Sequence, residues 1–149
     1  MMNVRRVRER DLTMVARMAK GLATSVADPA PKLSKSSLRA MLLGRRRWVE
    51  CVVAVEDGNI VGYAIAARMF EPHTAKRELR ISDLFVDERA RSSGAGRLLF
   101  ECLTKMALSL RCSQITWEVW IENDAAYAFY EHLGAEHVSD VSAMRLNLA

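Results

Sequence analysis

The sequence has few of the residues that would indicate a disulfide-bonded or metal-binding protein. Its three cysteines (Cys51, Cys102 and Cys112) are an odd number and lack the CxxC spacing of zinc and redox sites. Free thiols are therefore expected. The three histidines are also without metal-ligand spacing. The sequence predicts neither a disulfide framework nor a metal cofactor.

Long hydrophobic runs are absent as well. The longest, Ile60 to Ala67, is far shorter than the roughly 20 apolar residues that a membrane-spanning helix needs. The first residues are charged and no apolar stretch follows them, so no signal peptide is expected. We therefore predict a cytoplasmic protein with no membrane partner.

The charge balance gives only a mild signal. The 149 residues carry a formal net charge of +4, with 50% hydrophobic and 27% charged residues, a balance typical of one globular domain over residues 1–149. A small basic excess suits a polyanionic ligand but is too weak to indicate nucleic acid. The run from Arg45 to Arg47 is interpreted as a solvated cluster after a helix end, so no nucleic-acid partner is expected.

Apolar periodicity predicts an α/β protein with the order β-α-α-β-β-β-α-β-α-β. Asp57-Gly58 between two apolar runs predicts a hairpin, and Asp28 to Pro31 predicts a break between the first two helices. The predicted strands are Val4–Arg8, Val49–Glu56, Ile60–Arg68, Arg77–Val86, Gln114–Trp120 and Val141–Leu148. The predicted helices are Asp11–Thr24, Ser34–Leu43, Gly96–Leu110 and Asn123–His132, with Asp11 and Asn123 as N-caps.

The segment from Leu84 to Gly96 is the most informative, because a strand leads through a short basic loop into a helix. The first amides of a helix lack internal partners and, with the helix dipole, attract anions. Gly94 and Gly96 allow close approach of a phosphate, and Arg91 and Arg97 add positive charge. Read alone, the segment is either an anion site or a tight turn. No Gly-Lys-Ser/Thr follows, which excludes a P-loop, and the GxGxxG pattern of dinucleotide folds fails at Leu99.

Two motifs nevertheless resemble the GNAT acetyltransferase superfamily. Arg91-Ser92-Ser93-Gly94-Ala95-Gly96 is similar to its Q/R-x-x-G-x-G/A loop after the fourth strand. Asn123 to Ala135 is similar to its N-x-x-A-x-x-F-Y-E-x-L-G-A/F stretch. The resemblance implies a single-domain fold with a central mixed, mostly antiparallel β-sheet flanked by about four helices, and acetyl-CoA as co-substrate.

The finer pattern resembles the diamine (spermidine/spermine) N-acetyltransferase branch. Ile81 to Val86 is similar to its fourth strand, and Leu110 to Gln114 to its turn before the fifth. The chain departs from that branch at Ser82, where the branch has glutamate, and in the acid-poor stretch from Ala19 to Leu33. These departures count against polyamine specificity. Homodimerisation, common in that branch, is expected here.

The resemblance also implies roles for individual residues. Tyr130 matches the tyrosine that protonates the leaving sulfur, and a phenol stays protonated at neutral pH. Asn123 is expected to cap its helix and to contact the cofactor. The predicted cofactor-binding residues are Leu84, Phe85, Val86, Arg91, Ser92, Ser93, Gly94, Ala95, Gly96, Arg97, Asn123 and Tyr130.

The group that removes the proton of the acceptor amine is left open by the sequence. Strand alternation places Glu118 on the face of the fifth strand opposite Trp117 and Val119, and Asp83 opposite Ser82 and Leu84. Either carboxylate is a candidate base or cation site, and a water relay is the alternative. The predicted function is acetylation of a primary amine of a small molecule. Protein or peptide N-acetylation, and a non-catalytic acetyl-CoA sensor, are the alternatives.

Overall fold

The computed structural model describes residues 1–25 and 33–148 of the chain. The predicted break at Asp28 to Pro31 lies outside these residues. The strands are β1 Met2–Arg6, β2 Glu50–Glu56, β3 Asn59–Glu71, β4 Lys76–Val86 and β5 Gln114–Thr116. The helices are α1 Leu12–Ser25, α2 Lys35–Leu42, α3 Ala95–Ser109 and α4 Asp124–His132, with short 3-10 turns at Glu9–Asp11 and Glu88–Ala90. The predicted α/β class is confirmed.

The chain forms two compact units, Met1–Trp117 and Glu118–Ala149. The first contains the whole sheet with α1, α2 and α3, and the second contains α4. That the whole chain is one domain stays a prediction.

The sheet has the order β1-β2-β3-β4-β5, antiparallel through β4 and parallel between β4 and β5. The predicted hairpin joins β2 and β3, and both turn residues, Asp57 and Gly58, have positive φ angles of 48° and 83°. A two-residue turn of this kind matches the right-handed twist of the flanking strands. The prediction of a mixed, mostly antiparallel sheet is confirmed.

Helices cover both faces of the sheet. The α1/α2 face is built around Cys51, Val53 and Tyr63, which form one cluster with buried residues of the two helices (Leu12, Val15, Met18, Leu38 and Leu42). Residues of opposite alternation, such as Val52 and Ala54, lie on the α3 face. The inner side of α3 there is apolar and buried, at Ala95, Leu99, Phe100, Leu103 and Ala107.

A β-bulge in β4 decides which face its last residues occupy. Ala66 pairs with Ile81 and Ile65 pairs with Asp83, so Ser82 is the extra residue between them. Before the bulge, Ile81 shares a face with Ala66, on the α3 side. After it, Asp83 shares a face with Ile65, on the α1/α2 side. The bulge therefore moves Asp83 to the face opposite that of Ile81.

Two sequence predictions about the C-terminal strands are wrong. The fifth strand ends at Thr116 rather than Trp120, because its parallel pairing with β4 stops at Arg80, two residues before the bulge. Residues 141–148 form no strand in the described structure, and Val141, Met144 and Leu146 are exposed there. Alternation alone does not make a strand, because the backbone groups also need a pairing partner.

Asp11 also differs from its predicted N-cap role. It ends the 3-10 turn that precedes α1, and its carboxylate accepts a hydrogen bond from the Arg8 amide at 2.7 Å. Arg5 donates two further hydrogen bonds to it, at 2.6 and 3.0 Å. Asp11 therefore attaches the start of α1 to β1. The N-cap of α2 is Ser34, whose hydroxyl accepts a hydrogen bond from the Ser37 amide at 3.1 Å.

Candidate active site

The predicted anion site is the loop between β4 and α3. After β4, Asp87 caps a 3-10 turn by accepting from the Arg89 amide at 3.0 Å. Ser92 and Gly94 then take positive φ angles of 67° and 92°. Ser93 is tied back to the Ala90 carbonyl through both its amide and its hydroxyl. The loop is therefore held in one conformation by its own hydrogen bonds.

The N-terminus of α3 presents several amides together. The first helical hydrogen bond runs from the Leu98 amide to the Gly94 carbonyl at 3.0 Å. The amides of Ala95, Gly96 and Arg97 precede that bond and point along the helix axis towards the loop. Since α3 is 15 residues long, its dipole adds a positive field at the same place. This arrangement suits a phosphate group.

The basic side chains of the loop lie at the surface. Arg91 forms an ion pair with Glu88 at 3.4 Å, and more than half of its side chain is exposed. Arg97 is exposed on the first turn of α3. Ser92, Ser93 and Gly94 are exposed as well, so the loop is open to a ligand.

The last residues of β4 lead into this loop. Leu84, Phe85 and Val86 are half-buried and pair only with β3, through Ala64, Tyr63 and Gly62. No strand of residues 1–25 and 33–148 pairs with the other edge of residues 81–86, because β5 stops at Thr116. These three residues are among those that the family resemblance predicts to bind the cofactor.

Asp83 contacts a residue that the sequence analysis did not select. The Tyr63 hydroxyl donates a hydrogen bond to Asp83 Oδ2 at 2.5 Å. Tyr63 is fully buried, and its ring lies 6.3 Å from that of Phe85. The carboxylate therefore lies on the α1/α2 face with one oxygen held by a buried phenol.

Burial dominates the electrostatics of this pair. It raises the pKa of Asp83 above the usual range of a carboxyl, although the Tyr63 hydroxyl and the Leu84 amide oppose the shift. The pKa of Tyr63 is raised as well, by burial and then by the charge of Asp83. The phenol therefore remains a proton donor, and Asp83 is the group of the pair that can change charge.

A buried thiol lies in the same row of the sheet. Cys51 pairs with Ile65, which in turn pairs with Asp83. Burial, with the charges of Asp11 and Asp83, raises the pKa of the Cys51 thiol to about 12. The thiol therefore stays protonated, and it is not a nucleophile at neutral pH.

The second unit carries the other predicted site residues. Asn123 caps α4 by accepting from the Ala126 amide at 3.1 Å, so the predicted cap is confirmed. Tyr130 lies half-buried on α4, with its ring 5.2 Å from that of Phe129. Glu118 is exposed and follows β5 instead of lying on it, so the alternation argument for its orientation is wrong.

Comparison with known proteins identifies the family. The Acetyltransferase (GNAT) family matches residues 20–135, more than three quarters of the chain. The chain belongs to this family. It is an N-acetyltransferase, in agreement with the sequence prediction.

Named relatives of this GNAT acetyltransferase act on small amines. The thialysine N-epsilon-acetyltransferase of Mus musculus is 27% identical over 146 residues, covering 92% of this chain and 85% of that protein. The L-ornithine N5-acetyltransferase NATA1 of Arabidopsis thaliana is 29% identical over 92 residues, covering 62% of this chain and 40% of that protein. Among solved structures, a mutant of the Bacillus halodurans protein BH1408 has a TM-score of 0.83 and 26% identity, over 98% of this chain and 99% of that one.

Sequence reasoning for this acetyltransferase missed Tyr63 and the bulge at Ser82. The signal for Tyr63 was available: a tyrosine within an otherwise apolar strand is buried and needs a partner for its hydroxyl. The bulge left no signal in the alternation pattern, because Ser82 and Asp83 are both compatible with a regular strand.

The described residues contain no helix long and apolar enough to cross a membrane.

Proposed function

We propose that this acetyltransferase transfers the acetyl group of acetyl-CoA directly to a primary amine of a small cationic molecule, such as a diamine or an amino acid. The names of the mouse and Arabidopsis relatives support this substrate class. Acetyl-CoA is the donor that the family resemblance implies.

The observation that carries the proposal is that β4 contributes to both the donor site and the acceptor site that we propose. Its last residues lead directly into the amides at the α3 N-terminus, and its bulge presents Asp83 on the α1/α2 face. One strand therefore connects an anion site for the donor with a half-buried carboxylate for a cationic acceptor. Along the chain the two are separated by Leu84 to Asp87, the 3-10 turn and residues 91–94.

The loop residues fit the pyrophosphate of acetyl-CoA. The amides of Ala95, Gly96 and Arg97 would hold phosphate oxygens, and Arg91 and Arg97 would add charge. Ser92, Ser93 and Gly94 would shape the cradle, while Leu84, Phe85 and Val86 would contact the acyl and pantetheine parts. When bound, acetyl-CoA supplies a thioester whose carbonyl carbon is open to attack by an amine.

The protein side chains manage the protons. An alkyl amine with a pKa near ~10 arrives as a cation and must lose a proton before it attacks. We assign Asp83 to hold that cation and to accept the proton, directly or through water. Tyr130 keeps a proton at its Oη for the sulfur that leaves, and Asn123 adds a cofactor contact. Glu118 is the second candidate base.

A panel of amines tests the function. Lysine, thialysine, ornithine, putrescine and spermidine would each be incubated with acetyl-CoA, and free thiol would be measured. We expect the highest kcat/KM with a small amine of this panel. The kcat/KM should be lower for amines that carry additional positive charges far from the acetylated nitrogen. Turnover with peptides but with none of these amines would contradict the proposal.

The cofactor loop is tested by replacing Gly94 with valine. Gly94 has a φ of +92°, which a β-branched residue rarely adopts, so Gly94→Val should distort the amides of the cradle. We expect acetyl-CoA to bind at least tenfold more weakly, measured by calorimetry. Gly44→Val is the matched control, since Gly44 has a φ of +84° outside the loop. Equal affinities of the two variants would contradict the assignment.

The role of Tyr130 is tested on α4 itself. Tyr130→Phe should lower kcat on the order of 10²-fold, because general-acid catalysis contributes about that much. The affinity for acetyl-CoA should change little. Tyr127→Phe is the control on the same helix, where the ring of Tyr127 stacks on His137 at 4.9 Å. Unchanged kcat in Tyr130→Phe would exclude the general-acid role.

A homodimer, implied by the family resemblance, and a cytoplasmic location remain predictions. Light scattering during gel filtration would measure the mass of the assembly.

A further inference from the structure

We propose that Tyr63 is a positioning residue for acetyl transfer, whose buried hydroxyl orients the Asp83 carboxylate towards the acceptor amine. The inference rests on the proposed function, because it presupposes that Asp83 meets the amine. It adds a residue that no sequence motif assigned.

The geometry of Tyr63 suits this role. The residue is fully buried in the middle of β3, and its ring is packed in the core of the α1/α2 face. Its hydroxyl reaches Asp83 Oδ2 at 2.5 Å. A ring enclosed on all sides cannot swing its hydroxyl away, so the position of Oδ2 is fixed by the core. A short contact to an ionised oxygen is among the stronger hydrogen bonds.

Asp83 depends on this contact because it has no cationic partner among the residues that the structure describes. No lysine or arginine of this part of the chain forms an ion pair with it, and the hydrogen bonds that it accepts there come from the Tyr63 hydroxyl and the Leu84 amide. The carboxylate directly follows the bulge residue Ser82, where strand geometry is irregular. The phenol therefore supplies the orientation that a salt bridge supplies elsewhere.

The other groups facing Asp83 leave Tyr63 as its main electrostatic partner. From β2, the Cys51 thiol is protonated, with a pKa of about 12. Over residues 12–21 of α1, the buried residues are apolar, at Leu12, Val15 and Met18, while Arg17 and Lys20 are exposed. Asp11 is already paired with Arg5. From β3 and β4, Ile65 and Phe85 are apolar.

A change in pH dependence follows from this arrangement. The Tyr63 hydroxyl donates to the ionised form of Asp83 and so holds its pKa lower than burial alone would. Removing the hydroxyl should raise that pKa further. The acidic limb of kcat/KM, which reports groups of the free enzyme, should then move to higher pH.

The test compares Tyr63→Phe with Val53→Ala over the pH range of activity. Val53 pairs with Tyr63 and is fully buried, so its truncation weakens the same core without removing the hydroxyl. We expect the acidic limb to move up by about one pH unit in Tyr63→Phe, as loss of a hydrogen bond to a charged group implies. It should not move in Val53→Ala. The ionisation of the amine is the same in all variants, so it cancels in the comparison.

The outcomes separate this inference from the proposed function. If Asp83→Asn abolishes activity while the acidic limb of kcat/KM in Tyr63→Phe lies at the same pH as in the wild type, Asp83 acts without Tyr63 and the inference is wrong. If Asp83→Asn retains activity and its kcat/KM has the same acidic limb as that of the wild type, the assignment of Asp83 itself is wrong. Should Tyr63→Phe not fold, site-specific 3-fluorotyrosine at position 63 preserves the shape and makes the hydroxyl a stronger donor. The limb should then move to lower pH, and an unmoved limb would overturn the inference.

Discussion

Two carboxylates on opposite faces of the sheet, the buried Glu50 and the half-buried Asp83, have opposite electrostatic surroundings. Glu50, on the α3 face, is 4% exposed and receives hydrogen bonds from Arg6, Arg47 and Arg68. These partners outweigh burial and lower its pKa to about 2. Asp83, on the α1/α2 face, has a phenol as its side-chain partner, and burial raises its pKa.

The contrast distinguishes a carboxylate that stabilises the fold from one that is available for chemistry. The three arginines of Glu50 come from β1, from β3 and from the loop before β2, so this carboxylate joins separate parts of the chain. It stays ionised and occupied at every physiological pH. Within residues 1–25 and 33–148 Asp83 has no such cations around it, and in the proposed function a substrate ammonium group would supply the missing charge. Perturbed, uncompensated groups of this kind are typical of functional sites.

The largest expected effect is on activity, at Asp83. Asp83→Asn keeps the shape and a hydrogen-bond acceptor for Tyr63 but removes the charge that we propose binds the amine. We expect kcat/KM to fall by about 10²- to 10⁴-fold, the usual contribution of a positioned base. Thiol release with the best amine of the panel measures it. Glu50→Gln is the control, expected to change kcat/KM less than about twofold. Similar losses in both variants would remove the functional distinction.

The next effect is on stability, at Glu50. Glu50→Gln removes the charge that the three arginines share, although water can solvate Arg6 and Arg68, which are 58% and 60% exposed. We expect the free energy of unfolding to decrease by about 1 to 2 kcal/mol. The Tm should fall by roughly 3 to 6 °C, by the usual proportionality for a chain of this size. Asp83→Asn should leave the Tm unchanged or raise it, since it relieves a buried charge. A Tm loss at Asp83 as large as that at Glu50 would show that both carboxylates are structural.

The smallest effect is in the pH dependence of stability. The pKa of Glu50 is lower in the folded chain than its ordinary 4.5, so its stabilisation is complete above about pH 4.5 and is lost as the pH falls towards 2. The Tm difference between wild type and Glu50→Gln should therefore shrink on acidification. The pKa of Asp83 is raised, so its ionised form costs stability at neutral pH, and that cost disappears as the pH falls through the raised value. Melting curves between about pH 7 and pH 3 would detect both trends, and a Glu50 difference independent of pH would contradict them.

Local patterns predicted most of the helices and turns of the two units correctly. The Asp57-Gly58 turn requires positive φ, and the apolar spacing from Leu99 to Leu103 identifies the buried side of α3. Asn123 caps α4 as predicted, because capping depends only on residues of the first turn. The C-terminal strand predictions failed because pairing depends on a partner strand, which the alternation of apolar residues does not specify.

The sequence by itself determined the family, the loop that we propose to bind phosphate and the helix that follows it, because each depends on residues close together along the chain. Only the tertiary structure decided where Asp83 points. In a regular strand it would share the α3 face with Ile81, but the bulge at Ser82 reverses the alternation and brings Asp83 to the Tyr63 hydroxyl. The register between β3 and β4 depends on packing of both faces of the sheet, so it is a property of the folded chain rather than of any short segment.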